Sequence, residues 1–258
     1  MQHDKQRLDA ALVTLGLYAT REQAQRALLA GEVDIGGRRD AKPGTRVMVT
    51  GAAGAPQLRL GARTVTVAVR TRAPFVSRGG QKLAAALDAF GVSVHDAIAL
   101  DIGASTGGFT DCLLQRGARR VYAVDCGTGQ LHARLRNDRR VICRERTNAR
   151  HLTRAEVPEP PDIVVVDVSF ISVRLLIPTI TSLARNGTIV VVLVKPQFEV
   201  GREHVCRGGV VRDDAARQAA VADVCAAMNA AGWTVAGEIE SPLRGPAGNR
   251  EYLLAARM

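Results

Sequence analysis

Leu100-Asp101-Ile102-Gly103-Ala104-Ser105-Thr106-Gly107-Gly108-Phe109-Thr110 decides the fold. An apolar strand ends there in a run of small residues, and a helix restarts from Phe109. Glycines at 103, 107 and 108 permit backbone angles and close approaches that a Cβ would forbid, so main-chain N–H groups can face a ligand at the strand's end. The Gly-x-x-x-Gly-Gly spacing differs from the dinucleotide Gly-x-Gly-x-x-Gly pattern and argues against a nicotinamide-linked oxidoreductase. Taken alone, such a turn is also compatible with a tight strand-to-helix connection. The next strand, Arg120–Val124, ends in Asp125, about 20 residues on, where a carboxylate can accept hydrogen bonds from both hydroxyls of a ribose. Loop and carboxylate together favour an adenosine-type cofactor.

Outward from this stretch the chain alternates between short apolar strands and helices. Strands are expected at 98–102, 121–124, 141–143, 163–168, 189–195, 234–239 and 252–256, and helices from Gln81, from Phe109, near Leu131, from Val173 and over 215–231. That alternation predicts a doubly wound, Rossmann-like α/β sheet. No helix separates the last two strands, so they are expected to form an antiparallel pair at the edge of an otherwise parallel sheet, an arrangement suited to a methyltransferase.

A chain of 258 residues, 47% of them apolar, can bury a large domain and a small one. Its apolar runs, near 163–166 and 189–194, are far shorter than the roughly 20 residues that a membrane-spanning helix needs. Charged residues interrupt the first 30 positions, unlike a secretory signal, so a cytoplasmic protein is expected. Five cysteines, at 112, 126, 143, 206 and 225, are odd in number and lack Cys-x-x-Cys spacing or a neighbouring histidine cluster. They read as reduced thiols, mostly in packing roles, with no metal site.

The net charge is +10, and residues 1–80 hold 13 Lys/Arg against six Asp/Glu. A second basic concentration runs through Arg134, Arg136, Arg139, Arg140, Arg144, Arg146, Arg150 and Arg154. Such clusters neutralise phosphates and gain from counterion release, which points to nucleic acid. The plainer alternative is a solvated face in an arginine-rich composition.

Leu8, Leu12, Leu15 and Leu17 at near-helical spacing, then Thr20 as N-cap for a helix over 21–30, predict two short helices. A strand at Val33–Ile35, a Gly36-Gly37 hairpin turn, a Lys42-Pro43-Gly44 turn and a strand at 46–50 follow. The segment resembles the small α+β RNA-binding module first recognised in a ribosomal small-subunit protein, through Arg7-Leu8-Asp9, Thr20-Arg21, Gly31, Gly36-Gly37 and Lys42-Pro43-Gly44. This likeness makes Arg7, Arg21 and Lys42 candidate RNA contacts. The expected organisation is an RNA-binding domain over 1–60, a linker over 61–76 with a possible extra strand around Val65, Val67 and Val69, and a catalytic domain over 77–258.

Three charged positions fall straight after predicted strands, where ligands sit in open α/β sheets: Asp125, Asp167 and Lys195. Ionised groups there are costly without partners, so Asp167 and Lys195 should face a site or each other. Phe170 and Phe198 are candidates to stack on adenine or an RNA base, core packing being the commoner role of an aromatic ring.

Over nearly its full length the chain resembles the TlyA family, hemolysin-like proteins that are ribosomal RNA 2′-O-methyltransferases with an FtsJ-like catalytic domain. The likeness is carried by Ser77–Leu83, Asp101–Thr110, Asn137-Asp138, Glu145–Arg150, Asp167–Ser172, Val194–Gly201, Gly208–Val211 and Gly245–Tyr252. It implies a class I methyltransferase domain with a catalytic set Lys82, Asp167, Lys195 and Glu251, four residues that spacing alone does not gather. It also implies S-adenosylmethionine along Gly103, Ala104, Ser105, Thr106 and Gly107, with Asp125 and Cys126 at the ribose, Asn148 near adenine and Asp167 beside the cofactor. Cys126 stands where a small apolar residue such as valine is expected, and a filler role is its plainer reading. Arg78 joins the RNA contacts. Lys195 either receives the ribose hydroxyl proton or, charged, stabilises the developing alkoxide. The expected partner is ribosomal RNA in subunits or whole ribosomes, with no stable protein partner, and the rival reading is a non-catalytic RNA-binding or assembly factor with a vestigial cofactor fold.

Overall fold

The computed structural model describes residues 5–29, 32–38, 40–52, 54–69 and 74–258. Contacts divide the chain into two compact units, Met1–Arg72 and Ala73–Met258.

In the first unit Leu8, Leu12 and Leu15 recur on one face of α1 (Leu8–Thr14) and pack with Ala24, Ala27 and Leu28 of α2 (Arg21–Leu29). Both helices cover a sheet of β1 (Gln6–Arg7), β2 (Val33–Ile35), β3 (Arg46–Val49), β4 (Gln57–Leu60) and β5 (Arg63–Val69), in the order β1-β3-β4-β5-β2. Gly36-Gly37 does turn the chain, with Ile35 and Arg38 exchanging backbone hydrogen bonds. The ladder partner of β2 is nevertheless β5, some thirty residues later, with Val33 opposite Val69.

The linker expected over 61–76 needs correcting. Gly61 at φ +61° and Ala62 form a two-residue hairpin that returns the chain as β5, which pairs with both β4 and β2 and buries Val67. Residues 74–76 belong to the second unit, where Val76 N–H donates to Asp111 and Phe75 packs against the helix that follows. Residues 70–73 of the expected linker lie outside the described residues.

The second unit is built on β6 (Ile98–Ile102), β7 (Arg120–Val124), β8 (Val141–Arg144), β9 (Ile163–Val166), β10 (Ile189–Val194), β11 (Thr234–Glu240) and β12 (Tyr252–Arg257). The sheet order is β11-β12-β10-β9-β6-β7-β8, and β12 runs antiparallel to both of its neighbours. Alternate strand residues enter opposite layers, as expected of a sheet covered on both faces. Leu100, Tyr122, Val164 and Val192 pack with α6 (Ile177–Leu183) and α8 (Asp214–Ala230). Ala99, Val121, Val165 and Val191 pack with α3 (Gly79–Ala89) and α4 (Gly108–Gln115). Two short helices, α5 (Ala133–Arg136) and α7 (Pro196–Glu199), follow β7 and β10. No helix among the described residues is long and apolar enough to cross a membrane.

Candidate active site

The chain runs outward from β6 through β7 to β8, then returns to β9 on the other side of β6, and this reversal opens a crevice at the strands' carboxyl ends. Ladder register fixes what emerges there. Ile102 lies opposite Val166 and Val194 opposite Tyr252, so Gly103, Asp167, Lys195 and Glu251 leave the sheet along one edge.

The glycine loop is shaped by contacts that exclude side chains. Gly103 has φ +84°, and a Cβ there would lie 2.4 Å from the Asp167 carbonyl oxygen. Gly107, at φ +97°, begins α4, and its Cβ would meet Leu135 at 2.3 Å. Between them Ser105 N–H donates to Asp125 Oδ2 at 2.8 Å, while Asp125 Oδ1 accepts from Gly127 N–H at 2.7 Å. Loop and carboxylate are thereby one hydrogen-bonded unit.

Beneath the loop Asp101 is fully buried, accepts a 2.6 Å hydrogen bond from Thr110 Oγ1, and has an Oδ1 with no partner among the described residues. Burial pushes its carboxyl up to about 7 despite the Thr110 bond. Sequence reasoning quoted this residue but gave it no role; an aspartate in mid-strand was its only signal. Glu145 was likewise seen only as part of a motif. It accepts from Gly129 and Gln130 N–H and from Arg136, fixing the loop after β7, and those bonds hold its carboxyl down at about 2.

Three adjoining cavities open at this edge. The first, about 280 Å³, is lined by Lys82, Asp167, Lys195 and Glu251 together with Arg78 and the stretch Gly103–Thr106. The second, about 550 Å³, is bounded by Asp125, Cys126, Asn148, Asp167 and Phe170. The third, about 350 Å³, lies between Phe170, Phe198, Pro246 and Lys195.

Around the first cavity the charges are paired. Lys82 Nζ donates to Glu251 Oε2 at 2.5 Å, the two side chains being 10% and 0% exposed. Lys195 Nζ lies 2.6 Å from Asp167 Oδ1 and donates to Ser169 Oγ at 2.9 Å. Glu251 Oε1 is buried without a partner among the described residues. Thus two ion pairs, drawn from α3, β9, β10 and β12, close on one space of ligand size. Ser169 was not foreseen; it sits level with Lys195 in the parallel register of β9 and β10.

Other candidates fall as follows. Cys126 is exposed at the second cavity and not a core filler; of the other cysteines Cys112 is buried, Cys206 is exposed, and all five are free thiols. Asn148 caps the turn Ala149–His151 by accepting from Arg150 N–H. Phe170, in the left-handed region at φ +71°, is 87% exposed, in contrast to a packing role, and its ring lies 5.4 Å from that of Phe198 with the planes tilted by 49°. In the first unit Lys42 is exposed, whereas Arg7 and Arg21 spend hydrogen bonds on buried Asp9, which also accepts from Gln25 at 2.6 Å. The Arg7 guanidinium holds the Asp9 carboxyl well below the usual carboxylate range.

Residues 75–258 match the FtsJ-like methyltransferase family, and residues 6–49 match the S4 domain. The 16S/23S rRNA (cytidine-2'-O)-methyltransferase TlyA of Mycobacterium tuberculosis (strain ATCC 25618 / H37Rv) is 45% identical over 97% of this chain and 89% of that protein. This chain belongs to the TlyA family. Hemolysin A of Brachyspira hyodysenteriae, a further relative of this TlyA-family chain, is 40% identical over 96% of it and 98% of that protein. A solved structure described as a hemolysin from Streptococcus thermophilus superposes with a TM-score of 0.71 at 41% identity, covering 98% of this chain and 88% of that one. The TlyA-family catalytic unit is an S-adenosylmethionine-dependent methyltransferase. Its cradle fits that cofactor: Gly103 and Gly107 allow a left-handed loop packed too closely on Asp167 and Leu135 for side chains, and Gly103, Ser105 and Asp125 line the second cavity with polar groups.

Proposed function

We propose that this protein methylates the 2′-hydroxyl of a cytidine ribose in ribosomal RNA, within ribosomal subunits in the cytoplasm. The single observation that carries this reading is the pairing of Lys82 with Glu251 and of Lys195 with Asp167 around one cavity that adjoins the glycine loop. S-adenosylmethionine, when bound along Gly103–Gly107 with its ribose on Asp125 and its adenine near Cys126 and Asn148, supplies an electrophilic methyl group.

The target hydroxyl enters the first cavity between the lysines. Asp167 and Ser169 fix Lys195, which in its neutral form takes the hydroxyl proton and in its charged form stabilises charge developing on the ribose oxygen while that proton leaves to water at the cavity mouth. Glu251 holds Lys82 on the other side of the hydroxyl, and positioning supplies much of the rate. In the third cavity, Phe170 offers an exposed ring on which an unstacked base can rest, backed by Phe198. Exposed Arg78 at the cavity mouth, with Lys42, Arg7 and Arg21 of the S4 unit, contacts phosphates.

A non-catalytic assembly factor accounts less well for the site, because it needs neither an intact set of four nor a buried ion pair beside a partly exposed one at the same cavity. Mapping ribose methylation in ribosomal RNA from cells with and without the gene tests the proposal. Cytidine 2′-O-methyl marks that vanish with the gene support it, and identical maps refute it.

A further inference from the structure

The arginine-rich run noted in the sequence is dispersed by the fold. Arg134 binds Asp111 and Arg136 binds Glu145, while Arg154 donates to the Leu183 carbonyl, so these three serve the structure. Arg139 and Arg140 go elsewhere. They precede β8 and meet Arg119 and Arg120, which precede and begin β7, at the sheet edge opposite the active site.

These four guanidinium groups surround a cavity of about 440 Å³ whose only acidic lining residue is Asp96. Two of them are committed. Arg120 is bonded to Glu159, and Arg140 holds Asp138 at 2.8 Å. The other two are not. Arg119 has a single 3.7 Å approach to Asp96, with the side chains 56% and 74% exposed, and such an open pair contributes little. Arg139 forms no hydrogen bond or close ion pair among the described residues and is exposed, although its charge acts on Asp138 as that of Arg119 acts on Glu159. Backbone geometry holds the pair in place: Asp96 N–H donates to Gly117, Arg119 and Arg120 N–H to Ala97, and Val121 N–H to Arg140. Four guanidinium groups against Asp96, Asp138 and Glu159 leave an open notch with a small net positive charge and two free forks, suited to an anion with several acceptor oxygens.

We infer that Arg119 and Arg139 form a second phosphate-binding site, which grips the RNA backbone at the amino ends of β7 and β8 while the target nucleotide occupies the opposite edge. The inference rests on the proposed RNA substrate. Five strand residues at ~3.3 Å each put about 16 Å between the two ends of β7, and because β8 is the outer strand of the sheet, a folded RNA that engages both ends runs over that side of the domain. The site reads no sequence: it adds affinity and orientation.

The test uses the full chain, with purified 30S and 50S ribosomal subunits as probes, and compares the wild type with Arg119→Gln/Arg139→Gln and with Arg119→Lys/Arg139→Lys. Each lost phosphate contact removes roughly 0.7–0.9 from the slope of log affinity against log salt. The glutamine pair is expected to weaken binding about tenfold at 0.1 M salt and flatten that slope by about 1.5, and the lysine pair to keep most of the slope. Unfolding temperature, S-adenosylmethionine affinity and single-turnover methylation at saturating subunits stay unchanged. Identical affinity and slope in the glutamine pair overturn the second site while leaving the RNA reading intact. A wild type that binds neither subunit overturns both.

Discussion

Removing Lys82 alone should unfold the catalytic unit more readily than removing both members of its ion pair. Glu251 is 0% exposed and already has one oxygen without a partner, so Lys82→Met leaves a buried carboxylate with nothing to offset its lost hydration. Breaking such a pair costs about 3–5 kcal/mol. Lys82 is 10% exposed, so Glu251→Leu strands a cation that water still reaches, and its cost should fall at or below the lower end of that range. The double variant Lys82→Met/Glu251→Leu replaces two desolvated charges with apolar groups of similar size and should cost only about 1–2 kcal/mol, so that with Glu251→Leu at about 3 kcal/mol the coupling energy is roughly 4–7 kcal/mol. Denaturant unfolding of the four proteins supplies the cycle, and single-turnover methylation should be lost in all three variants. Additive single costs, each below about 1 kcal/mol, would refute a closed, water-excluding pair.

Asp101 predicts a pH dependence. The unfolded chain loses this proton near 3.8 and the folded chain near about 7, so between those values the folded state binds more protons and stability falls as pH rises. Asp101→Asn should therefore raise the unfolding temperature at pH 8 and have little effect at pH 4; a pH-independent difference would show that burial is not the cause. Cys126, exposed at the second cavity, should react with a maleimide, block cofactor binding once modified, and be protected by S-adenosylhomocysteine. Mass spectrometry of the labelled peptide checks this, and equal labelling with and without the nucleoside would remove Cys126 from the cofactor site.

Much of this architecture was legible because local periodicity writes it directly: the glycine loop, the β-α alternation and the helixless step between the last two strands all predict the observed sheet. The hairpin at Gly61-Ala62 was not, since it lacks the Asn-Gly or Asp-Gly signal that marks such turns, so the extra strand expected around Val65, Val67 and Val69 is assigned to a linker and not to the sheet that β5 joins. Lys82 and Glu251 lie 169 residues apart and meet only through tertiary structure, so family resemblance and not spacing brought them together. The resemblance that makes Arg7 and Arg21 candidate RNA contacts carries no sign that both also bond to the buried Asp9, because those contacts are gathered only by the fold. For Phe170 the sequence leaves stacking and core packing both open, and only the fold decides between them, with a left-handed backbone and an exposed ring.

The most direct measurement is single-turnover methyl transfer to ribosomal subunits by Lys195→Ala, made alongside equilibrium binding of S-adenosylmethionine. With Asp167 and the glycine loop still in place, cofactor affinity should stay within several-fold of the wild type while the transfer rate falls by about 10²–10⁴. A rate within about threefold of the wild type would contradict the assignment of Lys195 to the reacting hydroxyl.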